Sequence, residues 1–144
     1  MRRTVLAGLA AAFLAAPAAA QAPTEGPWRL VDVRDGDTVI LNANAGFVTA
    51  IKIRLYGVDA PETRGRCAEE TAAAAAATQR LRELVSRRVR VVSYLETDAY
   101  GRLLARLYNR DGRDVSEVLI AEGHARPLGG NERRQPWCAA PTGG

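Results

Sequence analysis

The stretch Ile51-Lys52-Ile53-Arg54-Leu55 alternates strictly between apolar and basic side chains. Successive side chains of a β-strand point to opposite faces, so this alternation predicts a half-buried strand. Its three apolar side chains face a core, and Lys52 and Arg54 face the other way. The strand therefore predicts a sheet or barrel that carries two cations on its outer face.

Four further segments have compositions or patterns typical of strands. They are Trp28–Val33, Thr38–Leu41, Val89–Leu95 and Leu103–Leu107. The turn signal Asp35-Gly36-Asp37 separates the first two segments. A hairpin loop is expected at Asn42–Gly46, before the alternating strand.

Two helices are predicted between and after these strands. The first covers Ala68–Arg88, where small and apolar residues recur at helical spacing and form one buried stripe. That stripe comprises Ala74, Ala77, Leu81, Leu84 and Val85. A shorter helix is expected to begin at Asp114, which forms a capping box with Glu117, and to end at Gly123.

About five strands, with the long helix between the third and fourth, predict an α+β fold. The arrangement fits a five-stranded, partly open β-barrel of the oligonucleotide-binding (OB) type with two to three helices. We expect this domain to span residues 28–125. The remaining residues, 126–144, are rich in Gly, Pro and Arg and are predicted to form an irregular tail.

The N-terminus has the pattern of an export signal. Met1-Arg2-Arg3 is positively charged, Thr4–Ala16 is apolar, and small residues up to Ala20 suit a cleavage site after that residue. Residues 1–20 are thus expected to be removed, and 21–27 to form a disordered lead-in. The alternative is an uncleaved membrane anchor, but the apolar run is shorter than the ~20 residues that span a bilayer. We expect a periplasmic or secreted protein with no stable membrane association after cleavage.

The formal charge of +4 falls to +2 once Arg2 and Arg3 are removed. A strong general attraction for polyanions is therefore not expected from the total charge, and any binding of nucleic acid depends on where the arginines lie.

Two cysteines, Cys67 and Cys138, remain in the mature chain. An even number of cysteines in an exported protein suggests a disulfide. The alternatives are two free thiols or a zinc site. Zinc is disfavoured because His124 is the only histidine, so further ligands are missing. We also interpret His124 as structural rather than as a general base.

Three segments combine acidic and basic residues. They are Asp35–Thr38, Arg54–Glu62 and Asp98–Arg102. Each has an ordinary interpretation as a turn or a solvated surface. Together they hold what phosphodiester hydrolysis needs: oxygen ligands for a divalent cation, guanidinium groups for the phosphate and a carboxylate for the attacking water.

These segments closely resemble the three signature blocks of the thermonuclease (staphylococcal nuclease-like) family. The blocks are Asp35-Gly36-Asp37-Thr38, Arg54 through Val58-Asp59-Ala60-Pro61-Glu62-Thr63, and Asp98-Ala99-Tyr100-Gly101-Arg102. They occur in the family's order, with the long helix between the second and third, and the resemblance covers roughly Val31 to Ala125.

The resemblance implies a role for each matching residue. Asp37, Asp59 and the backbone carbonyl of Ala60 would bind Ca²⁺. Glu62 would act on the attacking water, Arg54 and Arg102 would hold the scissile phosphate, and Tyr100 would pack at the nucleotide site. The implied activity is a calcium-dependent endonuclease that cuts DNA and RNA with little sequence specificity, leaving 3′-phosphate and 5′-hydroxyl ends. We expect a monomer.

The chain also departs from the family. Ala99 stands where the best-known member has lysine, and residues 124–130 lack tyrosines that stack on a base in some members. Arg126, Arg133, Arg134 and Trp137 are candidates to replace them. Two other functions remain: a catalytically silent OB-fold module that binds nucleic acid or protein, and a structural, disulfide-linked envelope protein.

Overall fold

The computed structural model describes residues 28–42, 50–85, 88–129 and 133–139. The predicted signal peptide, the lead-in, most of the loop at Asn42–Gly46 and residues 140–144 lie outside the described residues. Of the helices within these ranges, none has the length and apolar character needed to cross a membrane.

The described ranges contain seven strands and two helices. In chain order they are β1 (Trp28–Val33), β2 (Thr38–Asn42), β3 (Ala50–Leu55), β4 (Val58–Asp59), α1 (Ala68–Leu84), β5 (Arg88–Thr97), β6 (Leu103–Tyr108), α2 (Val115–Ala121) and β7 (Arg126–Pro127). Five of the strands close into a barrel in the order β1-β2-β3-β6-β5. The α+β barrel predicted from the sequence is therefore confirmed, including the position of α1 between the third and fourth barrel strands.

The barrel is closed rather than partly open, because β1 pairs with β5 through Trp28 with Val89 and Arg29 with Arg88. β3 and β6 run parallel, and the other barrel pairs are antiparallel. The parallel pair is possible because α1 and β5 both lie between the two strands in the chain. β5 runs antiparallel to β6 and carries the chain back to the end of the barrel at which β3 begins.

β3 follows the predicted alternation. Ile53 and Leu55 are buried in the core, and Lys52 is exposed on the other side. Arg54 also lies on the side opposite the core residues, yet it is only 5% exposed. A buried guanidinium needs a charged partner, and the site described below supplies one.

The small residues of α1 let the β1–β2 turn approach closely. Ala74 and Ala77 are fully buried on the predicted stripe. A Cβ built on Gly36 would lie 2.7 Å from Ala60 Cβ and 2.8 Å from Ala77 Cβ. Only glycine therefore lets the turn pack this tightly against both the helix and the β4 segment.

The helix ends earlier than predicted. α1 stops at Leu84, and Val85 caps it by donating its N–H to the carbonyls of Leu81 and Glu83. The prediction of a helix to Arg88 is wrong because Arg88 already belongs to β5 and pairs with Arg29. The predicted start of the shorter helix is correct: the carboxylate of Asp114 accepts from two N–H groups at the start of α2.

The C-terminal segment returns to the β4 region. β7 pairs with β4 through Val58 with Pro127 and Asp59 with Arg126. Beyond it, Cys138 forms a disulfide with Cys67, which caps the start of α1. The tail predicted to be irregular thus contains one short strand and a covalent attachment beside the loop that follows β4.

Candidate active site

The β1–β2 turn presents Asp37 to the interior of a cleft. Asp35 Oδ1 accepts a hydrogen bond of 3.1 Å from Asp37 N, an Asx-type turn that fixes the local backbone. The absence of a side chain on Gly36 lets this turn sit against Ala60. Asp37 is consequently held beside the β4 segment although 23 residues separate it from Ala60 in sequence.

Asp37 is buried and surrounded by donors. Its Oδ2 lies 3.0 Å from Arg54 Nη1 and accepts a 3.1 Å hydrogen bond from Ala60 N. Its Oδ1 accepts one of 3.1 Å from the hydroxyl of Thr38. Burial raises the pKa of Asp37 to about 6, although the charge of Arg54 and the N–H of Ala60 act in the opposite direction.

Arg54 occupies the centre of the charge cluster. Burial lowers its pKa, the carboxylate of Asp37 opposes that effect, and the positive charges of Arg102 and Arg134 reinforce it. Because these side chains interact electrostatically with Arg54, the structure brings both predicted phosphate-binding arginines into one site.

Arg102 is oriented by the turn between β5 and β6. Asp98 Oδ2 accepts a 2.6 Å hydrogen bond from Arg102 Nε, and Asp98 Oδ1 accepts from the Arg102 backbone N–H at 3.0 Å. Burial alone would raise the pKa of Asp98, but the hydrogen bonds from Arg102 and Tyr100 outweigh it and keep this pKa below its ordinary value. Arg102 Nη1 then donates to the Thr38 hydroxyl at 3.2 Å, which links it to Asp37.

Tyr100 stands at the rim of the same cleft. The residue is 85% exposed, and the centroid of its ring lies 5.4 Å from the guanidinium carbon of Arg102. An exposed ring held beside an arginine can stack on a nucleobase without displacing any core side chain. The position is thus compatible with the predicted contact to a nucleotide.

Asp59 ends β4 and is 3% exposed. Its Oδ2 accepts a long hydrogen bond of 3.4 Å from Trp137 Nε1. Its Oδ1 lies 2.9 Å from Arg134 Nε in an ion pair, and this buried oxygen accepts no hydrogen bond from the described residues. A buried carboxylate oxygen that lacks a donor is the kind of atom that a cation satisfies.

Glu62 lies on the loop after β4 with an exposed side chain. Its Oε1 accepts a short hydrogen bond from Arg134 Nη1. The loop itself is anchored by the buried carboxylate of Glu70, which accepts from Glu62 N at 3.4 Å and from Arg66 N at 2.8 Å. The first turn of α1 therefore determines where Glu62 lies.

Asp59 lies in the walls of two other clefts, whereas Asp37, Glu62, Tyr100 and Arg102 line one cleft with a volume of about 620 Å³. Its described lining consists of Arg34, Asp35, Asp37, Thr38, Lys52, Ala60, Pro61, Glu62, Tyr100, Arg102 and Arg134. Among the residues described, His124 is not part of this lining. The β1–β2 and β5–β6 turns that form two sides of the cleft correspond to the loops with which OB barrels bind oligonucleotides.

The donor chemistry fits a hard divalent cation. Asp37 and Asp59 offer carboxylate oxygens, Ala60 follows Asp59 in the chain and donates its N–H to Asp37, and Asp59 Oδ1 accepts no hydrogen bond from the described residues. Calcium prefers such oxygen ligands, including backbone carbonyls and water. Asp37, Asp59 and Ala60 would hold the ion. The family resemblance does not count Glu62 among the ligands.

The three carboxylates do not form one compact ligand group. Within the described residues, three potential ligand atoms come within 4.8 Å of one another only at Cys67, Glu70 and Cys138. The two cysteines form a disulfide and cannot bind a metal as thiolates. Asp37, Asp59 and Glu62 are therefore more widely spaced, and the guanidinium of Arg134 contacts two of them.

Sequence reasoning missed two residues of the site. Glu70 was not among the predicted site residues, although its carboxylate holds the Glu62 loop. Arg134 was considered as a contact to a base, whereas it contacts Asp59 and Glu62. Spacing in the sequence carried no signal for either contact, because both depend on how the segments around α1 and the disulfide fold back.

Comparison with known proteins gives matches across most of these elements. The family model described as "Staphylococcal nuclease homologue" matches residues 52–136. Proteins from Escherichia coli O157:H7 and Escherichia coli, both named "Uncharacterized endonuclease", are 33% identical over 101 residues, which is 67% of this chain and 58% of theirs. The succinoglycan biosynthesis protein ExoI of Rhizobium meliloti is 32% identical over 133 residues, 85% of this chain and 62% of that protein. The chain thus spans less than two thirds of the length of each relative.

Proposed function

The chain belongs to the staphylococcal nuclease family, and on that basis we propose that it is a calcium-dependent endonuclease acting on DNA and RNA. It cleaves with little sequence specificity and leaves 3′-phosphate and 5′-hydroxyl ends. The two relatives that bear the name endonuclease support a nuclease.

One observation carries the proposal. Two carboxylates and two arginines from three separate chain segments meet at one cleft: Asp37, Ala60, Glu62 and Arg102 line it, and Arg54 pairs with Asp37 in its wall. Burying charged side chains costs free energy. If these segments served only as turns, their charged side chains would not need to be buried together.

The arginines account for binding of the scissile phosphate. Arg102 is held rigidly by Asp98, and Arg54 by Asp37 and by the carbonyl of Leu55 at 3.1 Å. Preorganised guanidinium groups stabilise the negative charge that grows on the phosphate oxygens in the transition state. Their fixed positions also limit the reorganisation needed when the charge develops.

Glu62 accounts for handling of the attacking water. Its carboxylate is exposed to the cleft, whereas those of Asp37 and Asp59 are buried. A carboxylate at the solvent boundary can orient a water molecule or accept its proton as the bond to the 5′ oxygen breaks. Calcium, when bound by Asp37, Asp59 and the Ala60 carbonyl, supplies electrostatic polarisation of the phosphate.

A digestion experiment tests this proposal. Purified mature protein is incubated with supercoiled plasmid, single-stranded DNA and RNA in millimolar calcium, and then with excess chelator. Cleavage of all three that stops on chelation, with 3′-phosphate ends on the products, is expected. Tight binding of oligonucleotides that remain uncut in calcium would instead assign a silent binding module.

Export and a monomeric state are also part of the proposal. The pattern of residues 1–20 supports export, and the Cys67–Cys138 disulfide fits an oxidising compartment. N-terminal sequencing of protein recovered from the periplasm or medium is expected to begin at Gln21. Light scattering is expected to give the mass of one chain, and a chain retained in the cytoplasm with its first residues intact would contradict the export proposal.

A further inference from the structure

The segment 133–139 places the positive charge of Arg134 beside the proposed metal site. Arg134 Nε lies 2.9 Å from Asp59 Oδ1, and Arg134 Nη1 donates to Glu62 Oε1. One guanidinium thus spans the proposed cation ligand and the proposed water-handling carboxylate. Partial burial pulls the pKa of Arg134 down, but the hydrogen bond with Glu62 and the charges of Asp59, Glu62 and Asp37 outweigh this and raise it.

The residues that follow Arg134 are held against the rest of the domain. Arg126 lies 4.0 Å from the centroid of the Trp137 ring and donates to the Pro136 carbonyl at 3.0 Å. Trp137 in turn donates to Asp59 Oδ2. Cys138 is covalently bound to Cys67, beside the loop that carries Glu62. These contacts keep the Arg134 backbone near the site, so the guanidinium is present there at a high effective concentration.

A divalent cation and this guanidinium are drawn to the same atom. Asp59 Oδ1 is the buried oxygen that accepts no hydrogen bond and that Arg134 approaches. A cation bound to this oxygen would stand within a few ångströms of Arg134, and like charges at such separations repel strongly where water is partly excluded. Arg134 must therefore move away, or the cation binds more weakly.

We propose that Arg134 is a tethered cation that competes with the divalent metal for Asp59, and that the Cys67–Cys138 disulfide keeps Arg134 close enough to Asp59 to compete. This inference rests on the proposed function, because it takes Asp59 as a metal ligand. The C-terminal segment 133–139 then determines the calcium concentration that the enzyme requires. Reduction of the disulfide lowers that requirement by letting the tail move away.

Calorimetric titration of calcium into the metal-free protein tests the competition directly. We compare wild type with Arg134→Gln and with Arg110→Gln, which removes the same charge from an exposed residue that lines none of the clefts beside Asp59. Because ligand competition scales the apparent dissociation constant, Arg134→Gln is expected to bind calcium at least about tenfold more tightly. Arg110→Gln is expected to stay within about twofold of wild type. Unchanged or weaker calcium binding by Arg134→Gln overturns the inference.

A second comparison tests the role of the disulfide. Reduction of wild type, or the double variant Cys67→Ser/Cys138→Ser, is expected to tighten calcium binding in the same direction as Arg134→Gln. Reduction of Arg134→Gln is expected to add little, because the competing charge is already absent. Equal tightening in both backgrounds overturns the part assigned to the disulfide. If the double variant does not fold, reduction of folded wild type still gives the comparison.

The outcomes separate this inference from the proposed function. Calcium-dependent cleavage by wild type, together with an unaltered dissociation constant in Arg134→Gln, rejects the tethered cation alone. Absence of calcium binding in wild type and in Arg134→Gln rejects the metal site itself. Calcium binding only in Arg134→Gln supports the competition. In wild type the guanidinium of Arg134 would then be held on Asp59 too tightly for calcium to displace it.

Discussion

Arg54 Nη1 lies 3.0 Å from Asp37 Oδ2, and the two side chains are only 6% and 8% exposed. A buried ion pair of this kind contributes little net stability compared with apolar side chains of similar size, yet removing one partner is strongly destabilising. Under the proposed function, the pair is retained in the cleft wall because Asp37 and Arg54 act at the site.

The affinity for calcium is expected to depend on the ionisation of Asp37. Burial raises the pKa of this carboxyl to about 6, and a cation binds its ionised form. Below pH 6 a proton therefore competes with the ion, and the dissociation constant is expected to rise about tenfold per pH unit. Calorimetric titration between about pH 5 and pH 8 measures this, and a constant affinity over that range would contradict it.

The raised pKa of Asp37 also makes the free energy of unfolding of the metal-free protein depend on pH. The unfolded chain releases the Asp37 proton near pH 3.8, whereas the folded protein holds it up to about pH 6. The contribution of Asp37 to the free energy of unfolding consequently falls as pH rises through this window. Denaturant unfolding in chelator is expected to reveal this slope in wild type and its loss in Asp37→Asn.

Replacement of Asp98 is expected to impair catalysis by releasing Arg102. Asp98→Ala removes the acceptor of one hydrogen bond from this guanidinium and of one from the Arg102 backbone N–H. Loss of a fixed position lowers kcat by about 10- to 100-fold. In an Arg102→Ala background the same replacement is expected to have almost no further effect on kcat. Full additivity of the two losses in steady-state assays would show that Asp98 acts elsewhere.

Glu70 is expected to act through the Glu62 loop. Glu70→Ala leaves the N–H groups of Glu62 and Arg66 without their acceptor, which costs about 1–3 kcal/mol of unfolding free energy if water does not replace it. It is also expected to lower kcat about tenfold by displacing Glu62. Glu69→Ala, at the exposed neighbouring position, is the control and should leave both quantities close to wild type. Equal behaviour of the two variants would exclude a positioning role.

Gly36 is expected to tolerate no side chain. In Gly36→Ala the new methyl group would meet Ala60 and Ala77 at 2.7 and 2.8 Å, and such overpacking costs about 1–3 kcal/mol of unfolding free energy. Addition of Ala77→Gly removes one of the two contacts, so the double variant should lose less stability than the sum of the single changes. Chemical denaturation measures all three, and strict additivity would argue against a steric cause.

Local patterns predicted the elements whose signals lie within a few residues. The alternation at Ile51–Leu55 predicted which side of β3 faces the core, because strand geometry alone determines it. Asp114 predicted the start of α2, because its carboxylate caps N–H groups two and three residues away. The end of α1 was misplaced, since pairing of Arg88 with Arg29 overrides helix propensity there.

Contacts between distant segments were beyond prediction from the sequence. The β4–β7 pair joins two strands of two residues each, too short to give a periodic signal. Arg134 and Glu62 are 72 residues apart, and their contact depends on the path that the disulfide imposes on the tail. Grouping of Asp37, Asp59 and Arg102 was predicted only through resemblance to the family, because spacing does not determine how turns of a barrel converge.

Glu62→Gln measures the central claim most directly, because it removes the charge of the proposed water-handling group and preserves its shape. At saturating calcium, the rate of single-stranded DNA hydrolysis is expected to fall by about 10²- to 10⁴-fold, the usual contribution of a general base. The calcium-induced rise in Tm should persist, since Asp37 and Asp59 are intact, and Glu96→Gln on the exposed surface of β5 should cut like wild type. Hydrolysis by Glu62→Gln at the wild-type rate would contradict the account.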